Sequence, residues 1–247
     1  IRPDLSEAEA AAIDRLPEIQ YAAIWSQIMG RLDYHGERTQ PTTVYGADAG
    51  FTLLMGGALS EGRWFTPSEE RAGAAVTVIL DSHARRLFGR LDPIGKTLLI
   101  GGKPVQVIGL YEPPANIFTP PGAETGAVVP YRFADHAYYI DKTNMLFIGV
   151  KPRDGVPVAA AQEAATVRLR ELRRLRPADG NTFDFITQDQ ILDVFNSITG
   201  VFFLVMIVLA SVALMVGGIG VMAIMMVSVT DRTREIGIRK ALGATRH

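Results

Sequence analysis

The stretch Gly89-Arg90-Leu91-Asp92-Pro93-Ile94-Gly95-Lys96-Thr97 holds the residue types of a phosphate-binding loop. Such a loop needs four residues between its glycines, then Lys and Ser or Thr, with a helix behind them. Here five residues intervene, Pro93 offers no backbone amide, and Leu98-Leu99-Ile100 continues as a strand. The stretch therefore reads as a turn entering a strand. Arg168, Arg170, Arg173, Arg174 and Arg176 form a second charged constellation, suited to an anionic partner. Glu163 and Glu171 share that helix, and cations suit a helix C-terminus, so a solvated face is the better reading. His35, His83, His136 and His247 are scattered without metal-ligand spacing, and no Ser-His-Asp arrangement can be assigned. The sequence thus yields no catalytic, cofactor-binding or metal-ligating residue. The apolar loop Ile117-Phe118-Thr119-Pro120 is either a contact tip or a buried plug.

The bulk composition frames these candidates. The chain has 247 residues, 48% hydrophobic and 21% charged, which excludes a disordered polymer. A net charge of −1 gives no reason to expect nucleic acid, and the absence of Cys excludes disulfides and thiolate metal sites. The chain opens Ile1-Arg2-Pro3 and closes Thr245-Arg246-His247, and reads as a segment of a longer protein.

No Asp, Glu, Lys or Arg stands between Asp193 and Asp231, and Val201 to Val229 is apolar but for Ser211 and Ser228. A membrane-spanning helix needs about 20 such residues, so this run predicts a span that tilts or extends past the bilayer. Residues 196–230 are taken as the transmembrane helix. Arg232, Arg234, Arg239, Lys240 and Arg246 follow it, whereas Asn181 to Gly200 holds Asp184, Asp189 and Asp193 and no Lys or Arg. Basic residues mark the cytoplasmic side, so the C-terminal end is expected in the cytoplasm and residues 1–195 outside it. Export of that domain implies an earlier transmembrane helix. Ala210, Ala213, Gly217 and Gly220 recur at i, i+3, i+7 and i+10, one stripe of small residues on which a partner helix can pack. Gly217-Gly218-Ile219-Gly220 lies within this run and is not a dinucleotide loop.

The outer domain reads as α+β. Ser6 to Leu16 is a helix opened by a Ser6–Glu9 capping box, and Thr66-Pro67-Ser68-Glu69 opens another. Residues 20–47 are extended. Ala75–Leu80 is a strand, and Asp81-Ser82 caps a helix ending at Gly89. Lys96–Ile100 and Val105–Tyr111 form a hairpin, and Val128–Tyr131, Leu146–Val150 and Phe183–Thr187 are further strands. A long helix is expected from Pro157 to Arg176, with Asp189 onward turning helical toward the membrane. The strand-rich stretch of about 60–140 is expected as a subdomain inserted between two flanks that form the other.

Asp231 to Ala244 reads as a short cytoplasmic helix ending at Gly243, within a cytoplasmic segment 231–247. Ile238, Ala241 and Leu242 make an apolar patch beside Arg232, Arg234, Arg239 and Lys240. Such a helix can lie on lipid headgroups or dock into a protein groove, and physics leaves both open.

Val216-Gly217-Gly218-Ile219-Gly220-Val221-Met222, continued by Val227 through Ala244 with Asp231-Arg232-Thr233-Arg234-Glu235-Ile236-Gly237-Ile238-Arg239-Lys240-Ala241-Leu242-Gly243, closely resembles the permease subunits of MacB/FtsX-like ABC transporters. Ala223 departs from the Asn expected there. Gly62-Arg63-Trp64-Phe65, Leu87-Phe88-Gly89, Pro93-Ile94-Gly95-Lys96 and Val107-Ile108-Gly109 resemble the family's periplasmic core domain. The resemblance implies a bacterial inner-membrane permease, non-catalytic itself. Its partners would be a cytoplasmic ATPase that binds ATP-Mg, separate or fused, a second permease copy, membrane lipid and, in some assemblies, a periplasmic adaptor. It implies that Glu235, Ile236, Gly237, Arg239, Lys240, Ala241 and Leu242 face the ATPase in a coupling helix. Motion would then pass through the membrane helix to the outer domain for export, lipoprotein extraction or control of cell-wall hydrolases. The alternative is a membrane-anchored sensor, which requires a heptad pattern after the span; Gly237 and Gly243 stand against one.

Overall fold

The computed structural model describes residues 3–114 and 125–243, and the chain forms two compact units, Ile1–Phe183 and Asp184–His247. The loop Ile117–Pro120 and His247 lie outside the described residues. In the first unit the chain forms α1 (Glu7–Asp14), β1 (Ile19–Gly30), β2 (Leu32–Tyr34), β3 (Glu37–Arg38), β4 (Thr42–Ala47), α2 (Phe51–Met55), β5 (Ala58–Gly62) and α3 (Pro67–Ala72). It continues through β6 (Val76–Leu80), α4 (Asp81–Phe88), β7 (Thr97–Ile100), β8 (Lys103–Glu112), β9 (Thr125–Pro130), α5 (Tyr131–Ala137), β10 (Leu146–Pro152) and α6 (Val158–Leu172).

Among the described residues the strands join one mixed sheet in the order β10-β1-β4-β9-β6-β8-β7-β2-β3, with β5 paired to β8. The pairs β4–β9 and β6–β8 are parallel and the others antiparallel. The stretch 60–140 supplies β6 to β9, which share this sheet with the flank strands β1, β4 and β10. Strand β6 is buried along its whole length. Alternation sends Val76, Val78 and Leu80 into one apolar cluster, with Phe51, Phe65, Tyr111 and Val128, and Ile79 into the other, with Leu87, Phe88, Leu98 and Val107. Both sheet faces are therefore covered at the centre, as a run of Val, Ile and Leu requires.

Both expected capping boxes form. Ser6 Oγ accepts from the Glu9 amide while the Glu9 carboxylate accepts from the Ser6 amide, and Thr66 and Glu69 repeat the arrangement. Other expectations need correction. Asp81 is the first helical residue of α4, not its cap; its carboxylate pairs with Arg85 at 2.6 Å one turn on. Helix α6 stops at Leu172, before Arg176, because Arg174 turns to φ 51° and the Arg170 guanidinium binds the carbonyls of Arg176 and Asp179 that close the turn. Phe183–Thr187 is not a strand: Phe183 is buried, but the stretch has no ladder partner among the described residues. The sequence reading passed over α2, α5 and β5.

The turn before α2 is held by acids. The Tyr21 hydroxyl and the Gly50 amide both donate to Asp48 Oδ1, and the Ala49 amide donates to Glu70 at 3.1 Å. Burial pushes the Asp48 and Glu70 carboxyls, and the Tyr21 phenol, above their ordinary values. The folded protein then holds those carboxyl protons more tightly than the unfolded chain does. The resulting stabilisation is complete below unfolded values of about 4 and is lost as pH rises through the raised ones. Glu69 runs the other way. The Arg63 guanidinium holds it down to about 2, so its contribution is present above about pH 4 and fades as pH falls toward 2. Asp48→Asn is neutral at every pH and still accepts from Tyr21 and Gly50. Its thermal midpoint should exceed the wild type's by about 2–4 °C at pH 8, the gap closing toward pH 4. Tryptophan fluorescence reads this directly, since the chain's two Trp residues, Trp25 and Trp64, both lie in the first unit and Trp64 Nε1 donates to the Asp48 carbonyl.

Candidate functional site

The phosphate-loop lookalike is absorbed by a backbone knot. The Gly95 amide donates to the Val107 carbonyl at 2.7 Å, the Ile94 amide to Asp92 Oδ1 at 2.9 Å, and the Val107 amide to the Lys96 carbonyl at 2.8 Å. Amides that would cradle a phosphate are thus spent on the protein itself. The same knot gathers the motifs that resemble the core domain. Gly62 pairs with Gly109 across β5 and β8, the Arg63 amide donates to the Ile108 carbonyl, and Phe65 is buried beneath. Arg63 forks onto Glu69 at 2.7 and 2.8 Å, which ties the knot to the α3 cap. The arginines of α6 are likewise committed within the domain: Arg168 to Glu171 and Arg170 to the turn after the helix. His35 sits in the β2–β3 turn, His83 on α4 and His136 on α5, three separate elements.

The second unit carries the remaining candidates. Helix α7 (Gln188–Asp231) opens with a Thr187–Gln190 capping box and runs without a break through the boundary expected at 195/196. Leu192–Asp231, 40 residues, is apolar enough to cross a membrane, and none of its most apolar window is buried within the protein. At about 1.5 Å per residue it reaches about 60 Å, twice a hydrocarbon core of about 30 Å. Val, Leu, Ile, Met and Phe lie exposed on every side, which suits lipid and not a soluble core. The Ser211 hydroxyl donates to the Ile207 carbonyl at 2.8 Å, one turn back, so this polar group is satisfied inside the helix. Ala210, Ala213, Gly217 and Gly220 fall within about 80° of one another around the axis, at about 100° per residue. A Cβ added at Gly217 or Gly220 would meet nothing within 4 Å, so a second backbone could approach there.

Helix α8 (Thr233–Ala241) follows after Arg232, which closes α7 and opens α8. It ends where Gly243 turns to φ 87°, close to the expected Gly243 stop. All seven predicted coupling residues are exposed. They do not share one face. Ile238, Ala241 and Leu242 span about 100° of arc, with Glu235 and Arg239 along its edge, while Ile236 and Lys240 lie on the far side. Arg239 Nη2 pairs with Glu235 Oε1 at 2.7 Å, one turn apart. Ile238 therefore belongs with Leu242 in any docking face, ahead of Ile236. Its i−4 spacing from Leu242 is the signal that places it there.

An α+β domain, then a single lipid-suited helix, then a short exposed helix with one apolar face define a membrane-anchored protein with a folded domain outside the bilayer. The family model for the MacB-like periplasmic core domain matches residues 1–167, and that for the FtsX-like permease C-terminal matches residues 201–247. The chain belongs to the MacB/FtsX-like family of ABC transporter permeases. The uncharacterized ABC transporter permease YknZ of Bacillus subtilis is 32% identical over 213 residues, 86% of this chain and 51% of that protein. The macrolide export ATP-binding/permease protein MacB 2 of Aeromonas hydrophila is 31% identical over 242 residues, 97% of this chain and 36% of that protein. The solved periplasmic region of MacB from Actinobacillus actinomycetemcomitans has the same fold, with a TM-score of 0.60 at 20% identity over 79% of this chain and 84% of that one. The chain spans about a third to a half of the length of these curated relatives.

Proposed function

We propose that this chain is the part of an ABC transporter permease that carries ATP-driven motion from a cytoplasmic ATPase, through α7, to a periplasmic domain that exports or extracts a substrate. The observation that carries the reading is α8: a short helix directly after a membrane-suited helix, with an apolar face that nothing in this chain covers among the described residues. Arg232, Arg234, Arg239 and Lys240 after α7, against Asp184, Asp189 and Asp193 before its apolar run, support a cytoplasmic α8 and an outer domain of residues 1–195. The family's export ATP-binding/permease relatives support the ATPase as the occupant of that face. ATP-Mg would be held by that ATPase, separate or fused, and this chain would take no part in hydrolysis. The small-residue stripe of α7 supports a second permease copy, and the bilayer covers the rest of that helix.

The test is co-purification of the full-length protein, in detergent, with candidate ATPase subunits from the same source. A stoichiometric complex, or a fused ATPase whose hydrolysis depends on the permease part, is the expected result. A full-length protein with no ATPase fused and none bound sinks the reading and returns the sensor to first place.

A further inference from the structure

We infer that Arg173 is a positioning residue for coupling: it clamps the chain leaving the outer domain toward α7 onto the first helix of that domain. Arg173 is the C-cap of α6, and its side chain is only 7% exposed. Its Nε meets Glu9 Oε1 at 2.6 Å, and Glu9 is 11% exposed. Its Nη1 donates to the Thr182 carbonyl at 3.1 Å and to Thr182 Oγ1 at 2.8 Å. Its guanidinium carbon stands 5.7 Å from the centre of the Phe183 ring, within cation–π range. Glu9 closes the other side, its Oε2 accepting from the amide and hydroxyl of Ser6. One guanidinium thus joins residues 6–9 to residues 182–183, the last of the outer unit.

Chemistry singles out this pair from the other ion pairs. The other ion pairs among the described residues of this domain are more exposed, and exposed pairs contribute little rigidity. The nearly buried pair, made through Nε while Nη1 holds Thr182, resists displacement, since separating it leaves a charge unpaired away from water. Phe183–Thr187 is not in the sheet, so ladder hydrogen bonds do not anchor the exit segment. Arg173 reaches back from α6 to hold the Thr182 carbonyl and hydroxyl and to lie over the ring of the buried Phe183.

This inference rests on the proposed reading that motion enters the outer domain through α7. Its test uses the full-length protein with its ATPase in lipid nanodiscs, in a cysteine-free background. A fluorescent donor is attached at Glu37→Cys on the exposed β3, and acceptor-labelled lipids report its distance from the bilayer. Two variants are compared with wild type. Glu9→Gln removes the charge that Arg173 meets yet keeps the α1 capping box, since Gln serves at that position. Arg173→Lys keeps the charge but loses the planar group that reaches Glu9 through Nε and Thr182 through Nη1. The expected result is that Glu9→Gln retains wild-type tryptophan fluorescence and ATP hydrolysis within about twofold, while the ATP-dependent change in energy transfer falls at least threefold; Arg173→Lys loses it to a similar degree. A folded Glu9→Gln protein with a wild-type energy-transfer response overturns the clamp and leaves the coupling reading intact. So does a loss of response that merely tracks loss of fold in both variants. A wild-type protein that binds ATPase but shows no ATP-dependent change at the outer domain overturns the coupling reading, and the clamp's role with it.

Discussion

Leu242→Asp, made together with Glu235→Ala in the full-length protein, should abolish recovery of the ATPase while leaving the outer domain folded. Leu242 is 83% exposed in this chain, and on the proposed coupling reading the ATPase covers it. Burying a Leu contributes about 1.5–3 kcal/mol, and seating a carboxylate in the same pocket adds a desolvation penalty of several more. At 1.4 kcal/mol per tenfold, the affinity should drop by a factor of about 100 or more. Glu235 contributes far less. Its pair with Arg239 is exposed on both sides, and such pairs are worth about 0.2–1 kcal/mol. Glu235→Ala alone should therefore move affinity by no more than about fivefold. Helix geometry sharpens the expectation: Ile238→Asp should match Leu242→Asp, whereas Ile236→Asp, on the opposite side, should cost much less. The check is titration of purified ATPase onto nanodisc-embedded variants, with tryptophan fluorescence confirming the outer domain. Wild-type affinity in Leu242→Asp would remove α8 from the interface; equal losses at Ile236 and Ile238 would mean a groove that wraps the whole helix.

The features legible in the sequence were those written in local chemistry. The Ser6–Glu9 and Thr66–Glu69 boxes, the hairpin of β7 and β8, and the apolar run of α7 depend on neighbours within a few residues or on composition alone. Non-local pairings left no such mark. Strand β9 lies parallel to β4 across about 80 residues of chain, and nothing in Thr125–Pro130 names that partner. Strand β5, Ala58–Gly62, is exposed throughout, so it lacks the apolar alternation that would announce it. The long helix ends four residues before the Arg176 that the sequence suggests, because Arg173, Arg174 and Arg176 are compatible with a helix; the positive φ at Arg174 follows from the turn that Arg170 ties. For the same reason Arg173 was grouped with a solvated face, although Glu9, its partner, stands 164 residues away. The coupling segment was found by resemblance, and periodicity alone would have placed Ile238 in its docking face ahead of Ile236.

Gly62→Ala should be the most damaging single-methyl change in the outer domain. Gly62 sits at φ 76°, a conformation that costs a residue with a Cβ about 1 kcal/mol or more. The added Cβ would stand 2.4 Å from the Ile108 carbonyl oxygen and 2.8 Å from the Gly109 Cα, both backbone atoms that no rotamer change can move. Relief requires β5 to part from β8, which breaks the Arg63 amide bond to Ile108 and lifts Phe65 from the core. Exposing a buried Phe costs about 1.5–3 kcal/mol by itself. The summed loss should exceed about 3 kcal/mol, a large share of the roughly 5–15 kcal/mol that holds a domain together. Gly73→Ala provides the control: Gly73 also has positive φ, 62°, in the left-handed helical region at ψ 43°, and its Cβ would come no nearer than 3.4 Å to any atom, so only the backbone cost of about 1 kcal/mol applies. Thermal unfolding read through Trp64, which packs on Phe65, should place Gly62→Ala at least about 6 °C below wild type and Gly73→Ala about 2–4 °C below. Equal shifts in the two would show that positive φ sets the cost, and that the close approach of β5 to Gly109 yields readily to a methyl group.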